Sequence, residues 1–102
     1  MTTSPLEAIE RRLEAGKIIV LDGATGTELE RRGATMNDAA WCAMATLTHP
    51  ELLRQVHEDY IRAGARVITA NTFSTNRNML EPAGLGSRFE ELNRRAVEVA
   101  RE

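Results

Sequence analysis

Cys42 is the only cysteine among the 102 residues, so no disulfide framework can form and no metal can be held by cysteines alone. A lone thiol fits a reducing cytoplasm. Long apolar runs are also missing: no stretch approaches the roughly 20 residues needed to cross a bilayer. The first ten residues, MTTSPLEAIE, lack the basic start and apolar centre of a signal peptide. An excess of either charge is absent as well. The net charge of −2 gives no reason to expect nucleic acid or an anionic membrane as partner. The basic pairs Arg11-Arg12, Arg31-Arg32 and Arg94-Arg95 each fall beside glutamates in helical patterns and read as solvated faces. His49 and His57 lie about two turns apart on one expected helix, too far to share a metal.

What is present is an ordinary globular composition, 42% hydrophobic and 27% charged. Its most informative stretch is Lys17–Gly33, KIIVLDGATGTELERRG. Four consecutive apolar residues predict a strand over Lys17–Asp22 buried on both faces, as in a parallel sheet. That strand ends in Asp22-Gly23, passes a small-residue turn and enters a short helix, Thr27–Arg32, closed by Gly33. The pattern recurs in RVITANTFSTN, where a second strand, Arg66–Asn71, delivers the polar Asn71 to a hydroxyl-rich loop. Two parallel strands that present polar groups at the same end suit the ligand-binding rim of an α/β barrel or a doubly wound sheet.

The remaining elements are helical. Ser4, Pro5 and Glu7 start a helix that places Leu6, Ile9 and Leu13 on one face and stops at Gly16. Ala34–Leu47 has no clear period but carries Met36, Trp41, Cys42 and Met44, so it is expected to fold over something. Thr48-His49-Pro50-Glu51 reads as a second capping box. It opens a helix with Leu53, Val56, Tyr60 and Ile61 buried and Gly64 at its end. Thr72–Ser87 reads as a long loop with a helical turn around Asn78–Leu80. The last helix runs from about Arg88 with Phe89, Leu92, Ala96 and Val99 as its stripe. No linker divides the chain, so residues 1–102 form a single segment. Two parallel strands are too few for a stable sheet, and the last helical pattern ends with no stop signal. The segment therefore reads as the front of a longer protein, needing the rest of a barrel or self-association to complete its sheet.

Taken singly, Asp22 could cap a helix or fix a loop, and Asn71 could close a turn; their shared position favours a site. A dinucleotide fingerprint fits poorly: its third glycine position holds Leu29, Asp22 would face the pyrophosphate, and Asn71 is not an acid. A phosphatase-type nucleophile would want a second acid where Val20 stands.

The run LDGATGTELERRG, then Trp41, then HPELLRQVHEDYIRAGARVITANTFSTN and EELNRRAVEVARE resembles the N-terminal part of the homocysteine S-methyltransferases. That group includes the homocysteine module of cobalamin-dependent methionine synthase and the betaine-dependent enzymes. The resemblance implies an α/β fold, the first βα units of a (β/α)8 TIM barrel left incomplete in this chain. It implies methyl transfer to the thiol of homocysteine, giving methionine. The sulfur would be held by a zinc ion whose cysteine ligands lie on later strands; Cys42 matches none of them. The donor would be S-methylmethionine, S-adenosylmethionine, a methylfolate or methylcobalamin. Carried across by position, Asp22 and the Gly23 backbone would hold the amino-acid end of homocysteine, Ala24, Thr25, Asn71 and Thr72 would lie beside the same substrate, and Trp41 would stand near the donor. Ala24-Thr25 replaces the Gly-Met common in relatives, and Ser74 stands where the betaine branch has Tyr, which disfavours betaine. Other readings are a truncated, non-catalytic α/β module that acts by association and, more distantly, a dinucleotide-binding oxidoreductase.

Overall fold

The computed structural model describes residues 4–34 and 42–101. Trp41 and Met36, singled out above, lie outside the described residues. Six α-helices follow in order: α1 (Pro5–Glu14), α2 (Gly26–Arg31), α3 (Ala45–Thr48), α4 (Pro50–Arg62), α5 (Arg77–Leu80) and α6 (Phe89–Arg101).

Local chemistry sets most of the helix ends. Ser4 caps α1 by accepting from the Glu7 N–H at 3.1 Å, and Asn76 caps α5 by accepting from Met79 at 3.1 Å. Gly64 ends α4 with φ +118°, and the chain turns there so that Ala65 N–H reaches back to the Tyr60 carbonyl at 2.9 Å. The capping box expected at α4 does not form. Thr48 belongs to α3, where its hydroxyl donates to the Met44 carbonyl at 3.2 Å, and His49 stands at the N-cap of α4 without a side-chain bond to it. A preceding helix has claimed the residue that would have capped the next one.

The buried face of α4 also differs from expectation. Leu53, Val56 and His57 are buried and Tyr60 is half-buried, whereas Ile61 is 53% exposed. The helix is rolled toward α2 and α6, which brings His57 inward and turns Ile61 out. The stripe of α6 is as expected, with Leu92, Ala96 and Val99 buried. Two apolar clusters result. One joins Leu29 of α2, Ala34, Cys42, Ala45 of α3, Leu53 and Val56 of α4 and Val99 of α6. The other joins Ala43, Leu80, Leu85 and Leu92. Helix α1 buries none of its residues, and Leu6 and Leu13 stay exposed.

The two expected strands run side by side and parallel, but neither Lys17–Asp22 nor Arg66–Asn71 is a regular strand among the described residues. A single parallel bridge pairs Leu21 with Val67. Arg66 N–H reaches the Val20 carbonyl at 2.7 Å, and Asp22 N–H reaches the Val67 carbonyl at 3.1 Å. The ladder stops there for a chemical reason: the next donor, Thr69 N–H, goes to the Asp22 side chain at 2.8 Å instead of to its main chain. Ile18 and Leu21 are 84% and 61% exposed, so the burial on both faces that the apolar run predicts is not reached here.

Candidate functional site

The first extended segment ends at Asp22 and the second at Asn71, and the bridge between Leu21 and Val67 brings these ends together. The Asp22 carboxylate takes the Thr69 N–H on Oδ2 at 2.8 Å and the Thr69 hydroxyl on Oδ1 at 3.1 Å. One residue of the second segment therefore fixes both oxygens of the acid at the end of the first. The turn that follows is braced from behind: Tyr60 of α4 donates its hydroxyl to the Ala24 carbonyl at 2.8 Å.

Asn71 is 3% exposed, and its amide is committed to the protein. Its nitrogen donates to the Cys42 carbonyl at 3.1 Å and to the Thr46 hydroxyl at 3.0 Å, while its oxygen accepts from the Cys42 thiol at 3.2 Å. These bonds clamp the chain entering α3 against the end of the second segment. Farther along, Asn93 of α6 receives the Thr75 hydroxyl at 2.7 Å and donates to the Thr75 carbonyl at 3.0 Å, which pins the loop after Asn71.

An open cleft of about 420 Å³ lies over this junction. Of the residues singled out in the sequence, Asp22, Gly23, Ala24, Thr25 and Asn71 line it. Thr72 does not line it; its N–H turns back to the Ala70 carbonyl at 2.8 Å. Trp41 lies outside the described residues. The walls also include Thr69, Cys42 and Phe73. Thr69 was readable in principle, because alternation along an extended segment puts it on the same side as Asn71. Cys42 was not, since its approach to Asn71 is purely tertiary. Among the described residues, no backbone hydrogen bond uses the N–H of Gly23, Ala24, Thr25 or Gly26. The cleft thus joins a carboxylate, a turn whose residues 23–26 line it, and the exposed Phe73 ring.

Burial governs the titrating groups near this floor. It pushes the Cys42 thiol above its ordinary pKa, with the Ser74 hydroxyl pulling slightly the other way. Burial likewise holds His57 below its ordinary value, and the negative charge of Asp22 offsets part of that effect. Neither ring nitrogen of His57 has a hydrogen-bond partner among the described residues. On the outer side, Glu28 bonds to Arg31 and Arg32 and is lowered to about 2 by them. Arg32 continues to Asp59 at 2.9 Å, tying α2 to α4.

These residues do not suit a zinc ion. Among the described residues no group of three His, Cys, Asp or Glu side chains could hold a metal. Cys42, the single thiol, is a hydrogen-bond donor whose burial disfavours the thiolate that zinc requires.

Comparison with known proteins places this geometry in a family. The family model described as homocysteine S-methyltransferase matches residues 19–102. Homocysteine S-methyltransferase 4 of Zea mays is 43% identical over 90 residues, covering 87% of this chain and 26% of that protein. Homocysteine S-methyltransferase YbgG of Bacillus subtilis is 48% identical over 71 residues, covering 69% of this chain and 22% of that one. Selenocysteine methyltransferase of Astragalus bisulcatus is 41% identical over 90 residues, covering 87% and 27%. The crystal structure of the homocysteine methyltransferase MmuM from Escherichia coli, in its metallated form, superposes with a TM-score of 0.76 at 37% identity, over 96% of this chain and 33% of that one. The chain therefore spans between 22% and 33% of the length of these relatives. With most of its length matched by the family model and its fold matched by a solved member, the chain belongs to the homocysteine S-methyltransferase family.

Proposed function

We propose that the protein carrying this segment transfers a methyl group to the thiol of homocysteine, giving methionine, in the cytoplasm. In this reading residues 1–102 are the first βα units of a (β/α)8 barrel and bind the amino-acid end of the substrate. Asp22 is the observation that carries it. Its carboxylate stands in the cleft wall, aligned by Thr69, where an ammonium group can approach. Beside it, the peptide groups of Gly23, Ala24 and Thr25 supply donors that suit the substrate carboxylate. Asn71 acts as wall and brace, with its polar atoms already engaged, and Thr72 shapes the loop behind it. A charged pair of this kind recognises the invariant end of an amino acid and leaves the side chain free to project toward the reacting centre.

Activation of the sulfur by zinc falls to residues beyond this segment, since Cys42 is unsuited to ligation. This segment contributes binding and orientation of the substrate.

The test is methionine formation from homocysteine by the full-length protein, with S-methylmethionine, S-adenosylmethionine, methylfolate and methylcobalamin offered in turn. Turnover with one donor is expected, and failure with all four overturns the reading. Preference for selenocysteine, the substrate named for the Astragalus relative, would keep the site and change its acceptor. Asp22→Asn should raise KM for homocysteine by about tenfold or more, because a charge-assisted contact is lost. The 102-residue chain by itself is expected to bind no zinc and to transfer no methyl group.

A further inference from the structure

Tyr60 lines no part of the cleft, yet it touches the turn that does. Its ring is anchored in the apolar cluster of Leu29, Leu53 and Val56, and its hydroxyl emerges to donate to the Ala24 carbonyl at 2.8 Å. The same ring accounts for the glycine at position 23. Gly23 is not among the glycines with positive φ, so backbone conformation does not demand it. A Cβ there would instead lie 3.0 Å from the Tyr60 hydroxyl oxygen and 3.3 Å from Cε1.

A trans peptide points its C=O and its N–H in opposite directions. There are no cis bonds among the described residues. With the Ala24 carbonyl drawn toward α4 by Tyr60, the N–H of Thr25 is turned away from α4, and Thr25 lines the cleft. We propose that Tyr60 is a positioning residue that locks the Ala24–Thr25 peptide plane and so presents the Thr25 N–H as a donor to the substrate carboxylate, with Gly23 kept small to admit the ring. This rests on the amino-acid reading of the cleft and adds to it the residue that sets its donor geometry. Without the hydroxyl the peptide is free to rotate, and the donor is aimed only part of the time.

Four measurements test the assignment. In the full-length protein, Tyr60→Phe should raise KM for homocysteine about three- to tenfold, the effect of one hydrogen bond, while kcat is retained. Gly23→Ala should raise KM in the same way by pushing the ring aside. The double variant should be less than additive, because removing the hydroxyl removes the nearest clash. In a form of the protein that turns over no substrate, the N–H order parameter of Thr25 from 15N relaxation still reports the lock and should fall in Tyr60→Phe. An unchanged KM in Tyr60→Phe, or a fall in kcat alone, overturns the role. A lower order parameter at Thr25 in a variant of a protein that never uses homocysteine would retain the lock and discard its substrate, and an unchanged one would discard the lock as well.

Discussion

The Asp22 carboxylate occupies the place of a main-chain acceptor for Thr69, taking that residue's N–H at 2.8 Å and its hydroxyl at 3.1 Å. The parallel pairing that begins at Leu21 and Val67 is thereby completed by a side chain, at the point where a regular sheet would continue with backbone. An acid that serves the fold and faces the cleft makes removal costly twice.

Asp22→Ala should lower stability by about 2 kcal/mol, since two hydrogen bonds to a charged group are lost. Thr69→Val keeps the backbone bond and should cost about 1 kcal/mol. The double variant should cost less than the sum, because the hydroxyl bond is counted in both. Urea midpoints at constant m-value measure all three. Strict additivity would mean that the contact does not couple the two segments.

Asn71→Ala should destabilise by about 3 kcal/mol, because the Thr46 hydroxyl, the Cys42 carbonyl and the Cys42 thiol lose their buried partner together. Cys42→Ala removes one weak donor and a small volume and should cost about 1–2 kcal/mol. The thiol, 1% exposed and raised by burial, should react with iodoacetamide only as fast as the chain opens. Labelling at the rate of a free thiol would show that the clamp is not closed in solution.

Stability should fall as pH drops below about 6.5, the ordinary value for His57, toward its depressed value in the folded chain. In that window the unfolded chain binds a proton that the folded chain refuses, so the unfolded state gains; above it both states are neutral and this contribution is flat. Asp22 softens the effect, and Arg54 and Glu58 border the same groove. His57→Gln should remove the slope between pH 5 and pH 7, read by thermal melts. A slope that survives the substitution would assign it to another group.

Much of the helical scaffold was legible because its signals are local. Ser4 with Glu7, and Gly16, Gly33 and Gly64, act within one turn of the ends they set, and the α6 stripe needs only a period of 3.6. The start of α4 was misread because Thr48 had two possible helices to serve, and only the folded chain chose α3. Ile61 and His57 are both compatible with an inward face; which one is covered depends on where α2 and α6 lie. The strands failed differently. An apolar run specifies an extended chain, but a ladder needs neighbours on its edges, and Ile18 is left largely exposed. At the site, Asp22 and Asn71 were legible as polar ends of apolar runs. Thr69 shares the Asn71 side of its segment by alternation, but its bond to Asp22, like the approach of Cys42 and Thr46 to Asn71 and of Tyr60 to the turn, was not legible, because no local pattern links residues so far apart in sequence.

The Thr69 bonds to Asp22 have a thermodynamic consequence for whatever enters the cleft. A free aspartate swings between rotamers, and a ligand that needs one of them must freeze the rest. Here the side chain is frozen during folding, while each oxygen retains a lone pair for a further donor. The entropy of choosing a rotamer is surrendered before any ligand arrives, so an incoming ammonium meets an acceptor already aimed. Under the proposed function, affinity for the amino-acid end would be set by a threonine in the neighbouring segment as much as by the carboxylate it touches.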